Sequence, residues 1–435
     1  MVAPTSFFSD TGCHVRILEE AWILQEAGHK VTICTYHMGN PVEGVNLQRS
    51  LDVPWKKNVQ VGSSRHKIYF DIMLGLKGLQ TALREKPDII HAHLHEGAFI
   101  GWFLKLLGLG KAPLIFDFQG SMTSEMLDHH FLRQEGPFYN LALWLEKFIN
   151  RLPDRIITST HNSANILQET FGVAADRVVT VPDRVNSRRF RPLDSPEGKA
   201  AAARLKGELG IPLDRKVVVY LGLLAPYQGT DLLLQSAAQL KDEVPNAHFL
   251  IMGYPGVDSY RELANYLGLE GRVTFPGRIP YQEAARYLAL GDIAVAPKMS
   301  ATEGAGKITN YMAMGLPTVT FDSPVSRELL GGLGVYARYG DAQSLAENIK
   351  SLLLNDSWRE TLGRQVRAKA VNEMGLHHSR HQLEEIYAQA LAKTRKTSPQ
   401  NAGFEGKASF AADSSNLEFG ETVPLVAKVK TSLED

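Results

Sequence analysis

The residues most suited to chemistry in this chain lie between positions 303 and 317, where a glycine-rich turn leads into a short predicted helix. The residues able to meet a ligand there are Glu303, Gly304, Ala305, Gly306, Lys307 and Asn310. Such a turn points backbone N–H groups forward, and the helix start behind it favours an anion by up to about 2 kcal/mol. Lys307 and Asn310, three residues apart, share one face of that helix. The segment predicts a phosphate site, and a turn that simply starts a core helix is the alternative.

Three histidines alternate at positions 91, 93 and 95, at the end of another predicted strand. Imidazoles in such a row can bind a transition metal, but no Asp or Glu accompanies them at a convincing ligand spacing. We therefore predict no metal ligand among them. His91 is expected to cap the strand and His95 to start the next helix, while a metal site stays the less favoured alternative.

The elements around the phosphate segment indicate how it is positioned. It follows a predicted strand at 292–297, and open α/β sheets bind ligands at the carboxyl ends of their strands. Upstream, continuous apolar runs at 216–222, 247–253 and 272–277 alternate with helical patterns, as at 259–268. This is typical of parallel strands buried on both faces, so the C-terminal half is predicted to be a βαβ array.

The N-terminal half repeats this alternation. Helices are predicted at 15–27, 67–84 and 138–151, and strands at 31–35, 88–91, 114–118 and 155–159. We predict an α/β protein with two Rossmann-like doubly wound domains that face each other across a cleft. Its parts are a first domain at residues 1–192, a second at 193–374, a helix crossing back at 375–395 and a disordered tail at 396–435.

Length and charge narrow the classes of function. A chain of 435 residues is too long for one hydrophobic core and fits two domains. Lys plus Arg and Asp plus Glu both number 47, so the net charge predicts no nucleic-acid partner. Cys13 and Cys34 suit buried thiols. Neither a signal peptide nor a bilayer-spanning apolar run is found, so a cytoplasmic location is expected. Residues 1–4 look like the end of a first strand that is cut short.

Several motifs in a fixed order carry a resemblance to a known family. They lie at residues 10–15, 27–32, 87–93, 181–186, 190–192, 221–222, 228–229, 273–277 and 303–317. Over about residues 1–393 the chain resembles the retaining glycosyltransferases of the GT-B fold and is similar to family 4. The resemblance implies transfer of a sugar from a nucleotide-sugar donor to a glycan, lipid or small-molecule acceptor, in cell-envelope or exopolysaccharide synthesis. It implies no cofactor and no obligatory metal.

The same resemblance, with the turn chemistry above, assigns roles to individual positions. The expected catalytic residues are His93, Lys307 and Glu303. The expected donor-binding residues are Gly12, Gly222, Gln228, Gly229, Arg278, Gly304, Ala305, Gly306 and Asn310. The expected acceptor-side residues are Gln119 and His14. Fixed hydrogen-bond donors at the departing diphosphate would stabilise the charge that develops there.

Two departures from the family pattern concern the donor. Where relatives carry an arginine and a lysine that grip the diphosphate, this chain has Leu223 and Gln228, and Lys307 is the nearest replacement cation. Asn310 replaces the second of two glutamates spaced eight apart, and Glu303 lies one residue after the position of the first. These departures leave an alternative open, namely a sugar-nucleotide-binding protein of the same fold with weakened catalysis.

Two segments bear on membrane contact. Residues 65–77 mix basic and large apolar side chains, as an interfacial helix does, whereas residues 99–107 look more like a core helix. Peripheral contact with the inner face of the membrane and a purely cytoplasmic location stay open as alternatives.

Overall fold

The computed structural model describes residues 1–52, 67–107, 111–129, 131–300 and 302–396. The tail predicted for residues 396–435 lies outside the described residues from position 397 onward. Within the described ranges, no helix is both long enough and apolar enough to cross a membrane.

The first domain is built on one parallel sheet. Its strands are β1 (Val2–Ala3), β2 (Thr32–Thr35), β3 (Asn46–Arg49), β4 (Ile90–His93), β5 (Leu114–Phe118), β6 (Arg155–Thr158) and β7 (Val178–Thr180). They lie in the order β3-β2-β1-β4-β5-β6-β7. β4 and β5 are buried along their whole length, as parallel strands covered by helices on both faces require.

The second domain repeats this plan with six parallel strands. They are β8 (Lys216–Leu221), β9 (Ala247–Met252), β10 (Val273–Gly277), β11 (Ile293–Ala296), β12 (Thr318–Phe321) and β13 (Val335–Ala337). The order is β10-β9-β8-β11-β12-β13, so the strand order reverses between β8 and β11. Ligands bind at such a switch point in doubly wound sheets.

Helices cover the sheets. In the first domain they are α1 (Gly12–Glu26), α2 (Lys67–Glu85), α3 (Leu94–Leu106), α4 (Met122–Asp128), α5 (Tyr139–Ile149) and α6 (His161–Glu169). In the second they are α7 (Pro196–Glu208), α8 (Thr230–Leu240), α9 (Val257–Tyr266), α10 (Ala284–Leu288), α11 (Lys307–Ala313), α12 (Pro324–Leu330), α13 (Ala342–Leu354) and α14 (Asp356–Glu373). Local signals start several of them; for example, Ser323 and Ser326 form a capping box at α12.

The last helix, α15 (Leu376–Lys396), returns to the first domain and contacts α1. Its buried face includes Leu383 and Ile386, as the spacing of its apolar residues predicts. The domains also share apolar packing, because the Tyr281 ring of the second domain lies 6.4 Å from the Phe8 ring and 5.6 Å from the Phe190 ring. The two domains are therefore joined by α15 and by this aromatic packing.

The predicted doubly wound fold is confirmed, and each predicted helix and strand has an observed counterpart. The strand predicted at 88–91 is displaced, because β4 pairs with β5 from Ile90 to His93. His91 therefore lies inside the strand, and the prediction that it caps the strand is wrong. The boundaries predicted after residues 192, 374 and 395 stay predictions.

Candidate functional site

The carboxyl ends of strands from both sheets meet at one cavity of about 390 Å³. Loops that follow β1, β4, β5, β6, β8, β9, β10 and β11 all contribute to its lining. The predicted site residues that line it are Gly12, His14, Gln119, Gly222, Gln228, Arg278, Glu303, Gly304, Ala305, Gly306, Lys307 and Asn310. His93 and Gly229 are not among the lining residues.

Lys307 begins α11 and is the central cation of the cavity wall formed by the second domain. Its Nζ donates to Gln228 Oε1 at 2.8 Å and lies 4.5 Å from the centre of the Tyr220 ring. Burial, reinforced by the positive charge of Lys298, lowers the pKa of Lys307 to about 7. A Cβ at Gly222 would stand 2.6 Å from Nζ, so glycine leaves room for this ammonium.

Lys298 is a second cation of the site that sequence reasoning missed. It follows β11, and its Nζ lies 2.6 Å from Glu303 Oε2 and donates to the carbonyl oxygen of Gly304 at 2.7 Å. Burial would raise the pKa of Glu303, but the Lys298 ammonium outweighs it and holds that pKa below its ordinary value. The pair therefore fixes the start of the glycine-rich turn. In the sequence, the signal for Lys298 was its position directly after a predicted strand.

The first domain approaches this turn closely. A Cβ added to Gly304 would come within 2.9 Å of Ser159 Oγ, and one added to Gly306 within 3.1 Å of Asp183 Oδ2. Ser159 follows β6 and Asp183 follows β7. The glycines thus let the turn face the cleft without a steric clash.

Gly229 has a structural reason to be glycine. It adopts φ of +73° before α8, and a Cβ there would lie 1.9 Å from the Pro297 carbonyl oxygen. The preceding turn carries Gln228 to Lys307, while the carbonyl of Leu223 accepts a hydrogen bond from Tyr220 at 2.6 Å. Of the two positions where the resemblance leads one to expect a cation, Gln228 therefore accepts a hydrogen bond from Lys307, and Leu223 takes part through its backbone carbonyl.

A buried ionic network underlies the opposite wall. The Arg16 guanidinium lies 2.8 Å from Asp117, 2.9 Å from Asp183 and 3.3 Å from Glu20. Burial would raise the pKa of Asp117, but Arg16 holds it well below its ordinary value. Burial also raises the pKa of Glu20. Gln119, an expected acceptor-side residue, donates to Asp117 at 2.7 Å and so is oriented by this network.

The three histidines occupy different surroundings. His93 is fully buried at the end of β4, with Nδ1 3.0 Å from Asp117 Oδ2. His91 Nδ1 lies 2.7 Å from the Tyr387 hydroxyl of α15. His95 is the second residue of α3, as expected, and its Nε2 lies 3.3 Å from Glu146 while the residue lines the cavity. The sugar contact expected of His93 stays a prediction.

His14, the other expected acceptor-side residue, is held by local contacts. His14 Nδ1 accepts from the Ser9 backbone N–H at 2.9 Å, and Nε2 contacts Thr5, so the ring orders the loop after β1. Burial lowers the pKa of His14 to about 3. Lys67 pairs with Glu96 at 2.7 Å beside the cavity.

Glu125 is an acidic residue of the cavity wall that the sequence did not single out. It lies on α4 and lines the cavity. Burial raises the pKa of Glu125 to about 7. This wall therefore carries carboxylates as well as the paired Lys67.

Arg278, an expected donor-binding residue, joins the two domains. Its Nη2 lies 2.6 Å from Asp10 Oδ2, and Asp10 Oδ1 accepts from the Tyr281 backbone N–H at 2.9 Å. The Tyr254 hydroxyl donates to the Ser9 carbonyl at 2.6 Å. We call this group of contacts, made by Ser9, Asp10, Tyr254, Arg278 and Tyr281, the interdomain latch.

Comparisons with known proteins decide the family. A model described as glycosyl transferases group 1 matches residues 202–369, and a glycosyl transferase 4-like domain model matches residues 11–184. The chain belongs to the group 1 glycosyltransferases. Together these matches cover most of both domains, and the protein is a transferase.

Curated relatives of this glycosyltransferase include D-inositol 3-phosphate glycosyltransferases. The one from Corynebacterium glutamicum is 24% identical over 406 residues, covering 88% of this chain and 92% of the relative. The one from Nocardia farcinica is 29% identical over 328 residues, covering 72% of this chain and 69% of the relative.

Solved structures share the fold. HepE of Anabaena, in complex with UDP and glucose, superimposes with a TM-score of 0.71 at 17% identity, covering 89% of this chain and 98% of HepE. Sucrose-phosphate synthase of Thermosynechococcus elongatus gives a TM-score of 0.75 at 18% identity, covering 90% of this chain and 98% of that protein. The glycosyltransferase therefore has the GT-B architecture.

Proposed function

We propose that this glycosyltransferase moves a sugar, with retention of configuration, from a nucleotide-sugar donor to a hydroxyl group of a glycan, lipid or small-molecule acceptor, in cell-envelope or exopolysaccharide synthesis. The observation that carries the proposal is Lys307. Its ammonium and the turn at Gly304 to Gly306 line the same cavity at the start of α11. UDP-sugars are the first donors to test, since HepE is a structural neighbour in complex with UDP and glucose.

In the proposed reaction, the bond between the anomeric carbon and the diphosphate oxygen breaks, and negative charge grows on the diphosphate. Lys307 and the backbone N–H groups of the turn would stabilise this charge more strongly than they stabilise the bound donor, which lowers the barrier. Asn310 would hydrogen-bond the ribose. No metal ion is needed for this stabilisation.

Retention fits a front-face attack, in which the acceptor hydroxyl loses its proton to the departing diphosphate. The acceptor would enter along the wall that contains Gln119 and Glu125. Closure of the cleft around donor and acceptor would exclude water, so that sugar transfer competes with hydrolysis. His93 is proposed to contact the sugar, as the family resemblance implies.

The test is a turnover assay preceded by a binding screen. UDP, GDP and ADP sugars are ranked by thermal shift, because a ligand at about 100 times its Kd stabilises a protein by about 2.7 kcal/mol. Nucleotide release is then measured with and without acceptor extracts. Acceptor-dependent release supports the proposal. A sugar nucleotide that binds but is never consumed, with any extract, supports the weakened-catalysis alternative.

We also propose peripheral membrane contact through α2, α3 and α5, which adjoin one another in the first domain. Trp144 is 62% exposed and Leu141 58% exposed on α5, beside the exposed Lys147. Leu106 is 60% exposed, so the segment expected to be core is buried on one side only. An apolar face with a basic residue suits an anionic bilayer. Flotation with anionic vesicles should be lost in Trp144→Glu; flotation equal to that of the wild type would contradict the proposal.

A further inference from the structure

At the base of the cavity, three buried residues from two elements converge on one point. Glu20 comes from α1, and His91 and His93 come from β4. One ligand atom from each lies within 4.8 Å of the other two, and all three residues are buried. The sequence offered no carboxylate at a ligand spacing from the histidines; the fold supplies one.

The facing atoms lack hydrogen-bond partners. Neither ring Nε2 of His91 or His93 makes a hydrogen bond within the described residues, nor does Glu20 Oε2, while Glu20 Oε1 lies 3.3 Å from Arg16 Nη2 in an ion pair. His91 Nε2 lies 3.7 Å from Glu20 Oε2, too far for a hydrogen bond. Leaving several buried polar atoms unpaired costs about 1 to 3 kcal/mol each, so these atoms need a common partner.

The outer nitrogens of the rings are held as metal sites require. His93 Nδ1 faces Asp117 Oδ2 at 3.0 Å, and His91 Nδ1 faces the Tyr387 hydroxyl at 2.7 Å. When a carboxylate accepts the proton on Nδ1, the Nε2 atom is left unprotonated and its lone pair points inward. Carboxylate partners of this kind orient histidine ligands in metal centres. The rings stack at 4.5 Å, as side chains two apart on one strand face can do.

The charge around the cluster would also suit a cation that keeps Glu20 ionised. One guanidinium, that of Arg16, is surrounded by the carboxylates of Glu20, Asp117 and Asp183 within 3.3 Å. When all three are ionised, the network carries two excess negative charges. A divalent cation would neutralise them, and buried charges are otherwise costly.

We propose that Glu20, His91 and His93 bind a structural Zn²⁺ ion. Zinc takes imidazole nitrogen and carboxylate oxygen at about 2.0 to 2.2 Å, and two imidazoles suit it better than Mg²⁺ or Ca²⁺. Small side-chain rotations would bring the three ligand atoms to about 3.4 Å from one another, as tetrahedral geometry requires. Glu20 lines the cavity at its buried edge whereas His91 and His93 do not, so the ion would lie at the base of the cavity wall, where its role would be structural. It would fix α1, β4 and, through Tyr387, α15. A zinc ligand at His93 is an alternative to its predicted sugar contact.

The experiment measures metal content in the full chain expressed in zinc-supplemented medium, because a fully buried site fills during folding. Elemental analysis should find about one zinc per wild-type chain and at least tenfold less in Glu20→Gln and His93→Gln. His95→Gln is the matched control, since His95 belongs to the same histidine row but contacts Glu146 instead, and it should keep the zinc. Circular dichroism checks that each variant is folded.

A second measurement guards against variants that fail to fold. Wild-type protein from zinc-depleted medium should melt at a lower temperature than protein from zinc-supplemented medium. Folded wild-type protein without zinc under both conditions would overturn the proposal and favour a protonated Glu20 bonded to His91. Full zinc content in folded Glu20→Gln and His93→Gln would overturn it as well.

Discussion

At the scale of single residues, Lys307 is the proposed diphosphate cation, in place of the two cations that the family resemblance leads one to expect at Leu223 and Gln228. We expect Lys307→Met to lower kcat/KM by about 10² to 10³, as removal of one charge-stabilising group does in other enzymes. Lys199→Met, an exposed lysine on α7, is the control and should be neutral. Steady-state kinetics with the best donor decide, and an unchanged kcat/KM in Lys307→Met would show that the diphosphate is held elsewhere.

The lowered pKa of Lys307, about 7, predicts a pH dependence of donor binding. Below pH 7 the free protein already carries the ammonium that the diphosphate needs. Above pH 7 the amine must take up a proton on binding, so affinity should fall by up to about tenfold per pH unit. Lys307→Arg keeps its charge and should bind with a flat profile. Calorimetry with an intact nucleotide sugar, from pH 6 to pH 9, measures the donor affinity of the wild type and of Lys307→Arg. Parallel pH profiles of the two proteins would show that protonation of Lys307 does not control donor binding.

The sequence could predict Lys307 and the glycine turn because they are neighbours in the chain. It could not predict Lys298 as a partner of Glu303, nor Arg16 with Asp117, a contact between residues 101 positions apart. The contact between Arg16 and Asp117 leaves no local pattern, because only the fold brings α1 to β5. The pairing of β4 with β5, which sets His93 opposite Asp117, leaves none either.

At the scale of elements, α15 attaches the second domain to the first. Leu383 is fully buried on it, while Gln389 is exposed. Leu383→Ala should lower the free energy of unfolding by about 2 to 5 kcal/mol, because it leaves a cavity. Gln389→Ala should change little. Denaturant titration of both variants measures this, and equal stabilities would show that α15 is not part of the cooperative core.

Periodicity predicted α15 and the strands well, because burial on one face or on both faces leaves a repeating pattern. It placed the strand at 88–91 two residues early, because pairing with β5, not the apolar run, determines where β4 ends. Glu125 on α4 was missed for a similar reason, because it is polar and half-buried and only the fold brings it to the cavity.

At the scale of the whole molecule, the interdomain latch couples the two sheets. Arg278 donates through both Nε and Nη2 to Asp10 Oδ2, at 2.9 and 2.6 Å. Arg278 is partly exposed, so its attraction to Asp10 is screened by salt. A closed cleft brings the turn at Gly304 to the first domain, and donor binding should therefore depend on the latch.

We expect Asp10→Asn and Arg278→Gln each to weaken donor affinity and to widen the cleft, since each removes one side of the same ion pair. Substitutions at residues in direct contact do not have additive effects. The double variant should therefore lose less donor affinity than the sum of the two single losses, with a coupling free energy of about 0.5 to 3 kcal/mol. Arg338→Gln, from an exposed pair with Asp341 within the second domain, is the control. Small-angle scattering reports the domain separation and calorimetry the affinity. Two outcomes would contradict this prediction: additive losses of affinity in the double variant, or a domain separation in Arg278→Gln at high salt that equals that of the wild type. Either would show that the shared apolar packing of Phe8 and Tyr281 holds the domains together without the latch.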